Sequence, residues 1–358
     1  MNKKLNERKD NHSLRQLHLA EGKTDFCSND YLGIVKNHKL QTTNHKLASG
    51  STGSRLLSGN YPMIEEIEKQ IADFHLSETA LLFNSGYDAN IGLLSSVPQK
   101  GDTIFYDQLC HASIRDGIRL SFANAFSFAH NDLVDLQKKM EHATGTVFIV
   151  TESVFSMDGD LCPLTELVGI AQKSKSHVII DEAHATGVIG EQGEGLVQHL
   201  QMQDHVFARV HTFGKACGCH GAVVLGSQAL RDYLINFARS FVFSTSLPEH
   251  SVALIKASYE VFPFMDEERK HLKELIAQFQ STNTQFEKLV SETPIQIIVI
   301  PGNENVKEVA ARLQKQNLDV RAILYPTVPK GKERLRIVLH AFNNEQEVVK
   351  LLNILNNK

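Results

Sequence analysis

Lys215 lies in "HTFGKACGCHGA", residues 211–222, among glycine, alanine and cysteine. Small neighbours let a flat cofactor come close to the backbone, and a lysine desolvated in such a cleft has a lowered pKa and can form a Schiff base. Cys217 and Cys219 beside it form a C-x-C pair with no second pair elsewhere, which is poor zinc spacing. The thiols read first as small residues filling a turn, with a metal or redox role as the rival, and His211 and His220 read as structural or surface histidines. In "IIDEAHATG", Asp181 closes a buried apolar run. A carboxylate there needs a cation to offset its desolvation, and a protonated pyridine nitrogen would serve. His184, three residues on, is spaced to reach a phenolic oxygen on the same ring. An Asp–His metal pair is the alternative, although no third ligand stands at suitable spacing.

Two glycine- and serine-rich stretches invite a phosphate. "FNSGYDAN" runs from a strand through a small-residue turn into a helix start, where free backbone N–H groups and the positive end of the helix dipole hold anions. A plain strand-to-helix turn is the other reading. "ASGSTGSRLLSGN" lacks the Gly-Lys-Ser/Thr ending of a nucleotide loop and follows no clear strand, so ATP is weakly supported.

These residues need a frame, and residues 79–215 supply a repeating one. "TALLFN", "DTIFYD", "TVFIVT", "HVIID" and "VFARVHTF" are short apolar runs rich in Val, Ile and Phe. Alternating with helices, they predict an α/β fold with a mainly parallel sheet. Ligands of such sheets bind beyond the carboxyl ends of the strands. Those ends carry Ser85, Gly86 and Tyr87; His111; Glu152 and Ser156; Asp181 and His184; and Thr212 and Lys215. Near residue 250 the pattern changes to long charged helices such as "DEERKHLKELIAQFQSTNTQFEKLV", and "IQIIVI" and "ERLRIVLHA" bracket a further helix near "NVKEVAARLQKQ". The predicted division is an N-terminal segment 1–45, a large domain 46–250 and a small α/β domain 251–358.

The totals narrow the class. With 358 residues the chain can bury a large core. Its 37 basic and 41 acidic residues leave no electrostatic footprint for nucleic acid. The opening "MNKKLNERKDNHSLRQLHLAEG" is polar, no run is long enough to cross a bilayer, and five scattered cysteines suit reduced thiols. The expectation is a cytoplasmic enzyme with no membrane or nucleic-acid partner.

"CSNDYLG", "SGYDAN", "CHASIRDG", "TESVFSMDGDLCPL", "IIDEAHATGVIGEQGEG", "HTFGK", "FVFSTSLP" and "YPTVPKGKERLRIVLHAF" stand in this order. Together they resemble the pyridoxal-phosphate-dependent α-oxoamine synthases, from about residue 14 to the C-terminus. The resemblance implies the aspartate-aminotransferase-like fold (fold type I) with a large cofactor-binding domain. It also implies decarboxylative condensation of an amino acid with an acyl thioester carried by coenzyme A or acyl carrier protein. "VFSMDGD", "TGVIGEQG" and "PTVPKG" favour L-alanine and a pimeloyl thioester, with glycine and an acetyl thioester as the alternative.

On that resemblance Lys215 would carry pyridoxal 5'-phosphate and move the proton, Asp181 would face the ring nitrogen, and His184 would bond the phenolic oxygen with Glu152 and Ser156 close by. His111 would stack on the ring and polarise the substrate carbonyl. Gly86, Tyr87 and Thr212 would hold the phosphate. Ser244 and Thr245 would complete that phosphate site from the neighbouring subunit, implying a homodimer. Arg336 would grip the amino-acid carboxylate, with Arg334 the near alternative, and Arg15 and Thr327 would contact substrate. No metal is expected. The family often has glycine where this chain has Ala216, and a relative may carry arginine at the position of Leu324.

Overall fold

The protein is described from a computed structural model covering residues 1–17, 19, 22–40 and 47–356. It divides into two compact units.

The larger unit, 33–155 with 161–266, is built on seven short strands. They are β1 (Thr79–Phe83), β2 (Thr103–Asp107), β3 (Asn124–Phe128), β4 (Val147–Glu152), β5 (His177–Asp181), β6 (Ala208–Thr212) and β7 (Ala222–Gly226). Their order in the sheet is β1-β7-β6-β5-β4-β2-β3. β6, β5, β4, β2 and β3 run parallel, and β7 is antiparallel to both its neighbours. Strands buried on both faces are continuously apolar, which is why "VII" inside β5 and "FIV" inside β4 stand out in the sequence. Two strands escape that signal. In β3, "NAFSF", only Phe128 is buried because the strand lies at the sheet edge. β7, "AVVLG", directly follows the Cys–His turn and does not continue the strand–helix rhythm.

The helix Gly86–Ser96 follows β1, and Ala112–Leu120 follows β2. Their apolar faces, with Leu93, Leu94, Ile114 and Ile118, pack into the main core. After β4, β5 and β6 the chain makes turns, so strict strand–helix alternation does not hold there. The local chemistry explains this. The Ala183 N–H donates to Asp181 Oδ1 at 2.9 Å, and Gly187 and Gly218 take φ of 82° and 64°. Side-chain-to-backbone bonding and left-handed backbone both stop a helix from starting.

The smaller unit comprises 1–32, 156–160 and 267–358. Its antiparallel sheet joins β8 (Glu287–Lys288), β9 (Ile295–Val299), β10 (Arg321–Ile323) and β11 (Arg334–Val338) in the order β10-β11-β9-β8. The helix Asn303–Lys315 lies between β9 and β10 in the chain. This division differs from the 1–45, 46–250 and 251–358 read from the sequence. Thr24–Asp25 pairs with Leu318–Asp319 and the Val338 N–H donates to Phe26 O, which ties the N-terminal stretch to the smaller unit. The helix Glu249–Val261 packs on Pro62–Phe74 and stays with the larger unit, moving the boundary to 266. Residues 41–46, where the first predicted boundary falls, lie outside the described residues.

Beneath the sheet of the larger unit, His75 and His211 are fully buried with ring centroids 4.1 Å apart. His75 Nε2 bonds Tyr259 Oη at 2.9 Å, and His211 Nδ1 bonds Thr186 Oγ1 at 2.9 Å. Burial first, then the charge of Arg209 for His75 and the neighbouring His75 for His211, hold both pKa values well below the usual range. A base with a depressed folded-state pKa contributes its full stability above the unfolded value near 6.5 and loses it as pH falls below that value. The stability advantage of wild type over His211→Gln should therefore shrink below pH 6.5, by up to about 1.4 kcal/mol per pH unit. Denaturant titrations of both proteins at pH 7, 6 and 5 check this, and a constant gap would contradict it.

Candidate functional site

The polar ends of β4, β5 and β6 and the starts of two helices meet in the larger unit. Asp181 closes β5 beside Glu152, its partner in register on β4, and both are buried. Asp181 Oδ1 accepts from the Ala183 N–H at 2.9 Å, and Oδ2 accepts from Asn90 Nδ2 at 2.7 Å. Glu152 Oε1 accepts the His111 backbone N–H at 2.5 Å. Burial, then repulsion from Asp181, pushes the Glu152 pKa up to about 8, so this carboxyl keeps its proton at neutral pH.

His111 caps the helix Ala112–Leu120 through Nδ1, which accepts the Ser113 N–H at 3.2 Å. Burial lowers its pKa. The charge of Asp181 opposes that shift and the Lys215 ammonium reinforces it, which places Lys215 and Asp181 in one electrostatic cluster around the imidazole. Lys215 itself is half-buried in the turn after β6, where its carbonyl accepts the Gly218 N–H at 2.9 Å. His184 is buried in the turn after β5. Cys217 is buried and Cys219 half-buried in the Lys215 turn, and burial pushes both thiols up, Cys219 to about 12, so neither is a thiolate. Among the described residues no group of three His, Cys, Asp or Glu side chains could hold a metal ion.

The strand-to-helix turn after β1 has the features of an anion cradle. Ser85 Oγ caps the helix by accepting the Asp88 N–H at 3.1 Å. A Cβ placed on Gly86 would come within 2.4 Å of Thr212 Cγ2, so only glycine lets the turn lie against the end of β6. Among the described residues, the buried Thr212 hydroxyl has no hydrogen-bond partner there. The Tyr87 ring lies edge-on to His111, centroids 6.4 Å apart, and its phenol donates to Asp116. Near the same turn, Asn84 Nδ2 donates to Thr245 O at 2.8 Å. Thr245 is exposed, Ser244 half-buried, and Phe243 just before them is 72% exposed.

The remaining predicted residues belong to the smaller unit. Arg336 on β11 donates from Nε to Ser156 O at 2.7 Å and from Nη2 to Asn29 Oδ1 at 2.9 Å, both neutral acceptors. Arg334, on the same face of that strand, is ion-paired to Asp158. Arg15 Nη2 donates to Thr327 Oγ1 at 3.1 Å across 312 positions of chain. Arg15 and Leu324 line a cavity of about 380 Å³ with Lys307, Arg321 and an alanine floor of Ala310, Ala311 and Ala322. Sequence reading passed over Asn90, Ser113 and Asn29. Each had a signal: Asn90 is one helical turn beyond Gly86, Ser113 two residues beyond His111, and Asn29 sits inside "CSNDYLG".

Comparison with known proteins shows the family and the fold. The model of the aminotransferase class I and II family matches residues 21–355. An 8-amino-7-oxononanoate synthase of Lysinibacillus sphaericus is 40% identical over 90% of this chain and 85% of its own. The crystal structure of 8-amino-7-oxononanoate synthase from Francisella tularensis superposes with a TM-score of 0.79 at 29% identity, covering 94% of this chain and 97% of that one. A serine palmitoyltransferase solved with its pyridoxal phosphate internal aldimine gives a TM-score of 0.86 at 26% identity, over 93% and 86% of the two chains. The chain belongs to the aminotransferase class I and II family, among its pyridoxal-phosphate-dependent α-oxoamine synthases.

Proposed function

We propose that this protein condenses L-alanine with a pimeloyl thioester, carried by coenzyme A or acyl carrier protein, to give 8-amino-7-oxononanoate, CO₂ and the free thiol in biotin biosynthesis. The observation that carries the reading is 40% identity to a synthase of that name over nine-tenths of the chain. It is supported by the buried carboxyl groups of Asp181 and Glu152 gathered with the His111 imidazole and Lys215. The residues fit pyridoxal phosphate. The orphaned Thr212 hydroxyl and the cradle that a Cβ on Gly86 would fill match a phosphate, and Asp181 offers acceptor oxygens to a protonated ring nitrogen.

When bound, this cofactor supplies an electron sink that stabilises negative charge at the α-carbon of the amino acid. Lys215 would hold it covalently at rest; once the alanine amine has displaced it, the freed Lys215 amine would remove the α-proton and, after CO₂ has left, give a proton back and resume its hold. Asp181 would pair with the ring nitrogen, and His184 would bond the phenolic oxygen, with Glu152 and Ser156 also assigned to the cofactor. Gly86, Tyr87 and Thr212 would hold the phosphate. His111, neutral at working pH, would stack on the ring and donate to the thioester oxygen as negative charge develops there. Arg336 holds the alanine carboxylate in its planar fork. Arg15 and Thr327 would meet the acyl chain, and the cavity that Arg15 lines with Lys307, Arg321 and three alanines suits a chain ending in a carboxylate.

Ser244 and Thr245 complete the phosphate site of a second copy, making the working unit a homodimer. The exposed Phe243 beside them is the kind of apolar surface residue that such an interface covers. Five free thiols suit the cytoplasm, and among the described residues no helix is long and apolar enough to cross a membrane. Mass spectrometry after incubation with alanine or glycine and pimeloyl or acetyl thioesters tests the assignment. The expected product is 8-amino-7-oxononanoate from alanine and the pimeloyl donor, at least about tenfold faster than any other pairing. A preference for glycine and the acetyl donor would overturn it.

A further inference from the structure

We infer that Asn90 is a positioning residue that locks Asp181 and His111 into one hydrogen-bonded unit through Ser113. The inference rests on the cofactor reading above. Asn90 Nδ2 donates to Asp181 Oδ2 at 2.7 Å and to Ser113 Oγ at 3.0 Å. The opposite orientation of this amide would set its oxygen against the Asp181 carboxylate, so charge dictates the donor orientation. Ser113 Oγ, having accepted from Asn90, lies 2.7 Å from His111 Nδ1. Nδ1 already accepts the Ser113 N–H, so the ring proton sits on Nε2 and the serine hydroxyl donates to Nδ1.

Every donor in this relay therefore has one direction. Asp181 is held as an acceptor, and His111 is held with Nε2–H as its donor. Asn90, Ser113 and Asp181 are all buried, so no water competes. The link depends on close helix packing. A Cβ on Gly117 would meet Asn90 O at 2.9 Å and Leu94 Cβ at 3.0 Å, so glycine there lets the helix carrying Ser113 reach the helix carrying Asn90. The Asn90 helix is also the one that begins at Gly86, and it would thus tie the phosphate cradle to the partner of the ring nitrogen one turn on.

The test measures pyridoxal phosphate affinity and the pH midpoint of the bound cofactor's visible absorbance. The titratable groups acting on Asp181, Glu152 and His111 include Lys215, Cys110, Asp107 and Asp116, and all stay unchanged in every variant. Asn90→Ala is expected to weaken cofactor binding about tenfold and to move the midpoint by about one pH unit. Ser113→Ala should produce a smaller shift in the same direction, and Ser113→Thr, which keeps the hydroxyl, should restore the wild-type midpoint. Wild-type affinity and midpoint in Asn90→Ala would overturn the inference. If Asn90→Ala does not fold, Ser113→Ala decides alone, and an unchanged midpoint in it overturns the inference equally. A wild-type protein that develops no visible band with the cofactor sinks the cofactor reading instead, so the two failures are distinguishable.

Discussion

Lys215→Ala is expected to lose turnover by at least about 10⁴-fold, the upper end of what one general base contributes. The amine does two jobs in the proposed reaction, holding the cofactor covalently and moving the α-proton, and no neighbour can take over either. Glu152 keeps its own proton to about pH 8, and His111 is fixed by its Nδ1 bonds to Ser113. Cys217 and Cys219 are held as thiols by burial. The variant should still bind pyridoxal phosphate, because Asp181 and the Gly86–Thr212 cradle remain. Borohydride reduction followed by intact-mass measurement separates these effects. Wild type should gain one cofactor mass, and the variant none. A variant that keeps turnover within tenfold of wild type would remove Lys215 from the reaction and leave the turn around it a structural feature.

The frame of the site was legible in the sequence for a physical reason. Strands buried on both faces are mostly apolar, so β1, β2, β4 and β5 appear as apolar runs whose polar ends mark the crevice side, while β6 carries Arg209 and His211 inside it. β3 was not legible, because an edge strand needs only Phe128 inside. The turns after β4, β5 and β6 were not legible either, since Asp181 bonding its own backbone competes with helix formation in a way periodicity does not register.

The relay through Asn90 and Ser113 depends on how closely two helices approach, which Gly117 sets and spacing along the chain does not encode. The division into units differs from the one read along the sequence because the pairing of Thr24–Asp25 with Leu318–Asp319 joins segments almost 300 positions apart. Composition averages over exactly such long-range pairings and leaves no trace of them. The motif resemblance gives the carboxylate role to Arg336, with Arg334 on the same strand face as the near alternative.

The surroundings of those arginines favour Arg336 for the proposed role, and they carry the second large prediction. Arg334 and Arg336 alternate with Leu335 on β11, so both project to the same face. Asp158 neutralises Arg334. Arg336 is also buried, and it bonds the Ser156 carbonyl, the Asn29 amide oxygen and the buried Tyr31 phenol, none of which carries charge. A buried guanidinium bonded to neutral oxygens keeps a strong unmet preference for an anion, and those bonds hold the planar fork still. Truncating one side of a buried charged pair costs about 2–5 kcal/mol, so Arg336→Ala should lower kcat/KM for the amino acid by about 300-fold. Cofactor affinity should hold, and Arg336→Lys, which keeps the charge but not the fork, should fall between the two. Arg334→Ala should instead lower the melting temperature, because it strands Asp158, and leave KM for the amino acid near wild type. Steady-state kinetics and thermal melts of the three variants separate these outcomes. A larger rise in KM from Arg334→Ala than from Arg336→Ala would show that a carboxylate already paired inside the protein can be exchanged for the substrate's own, and the assignment would pass to Arg334.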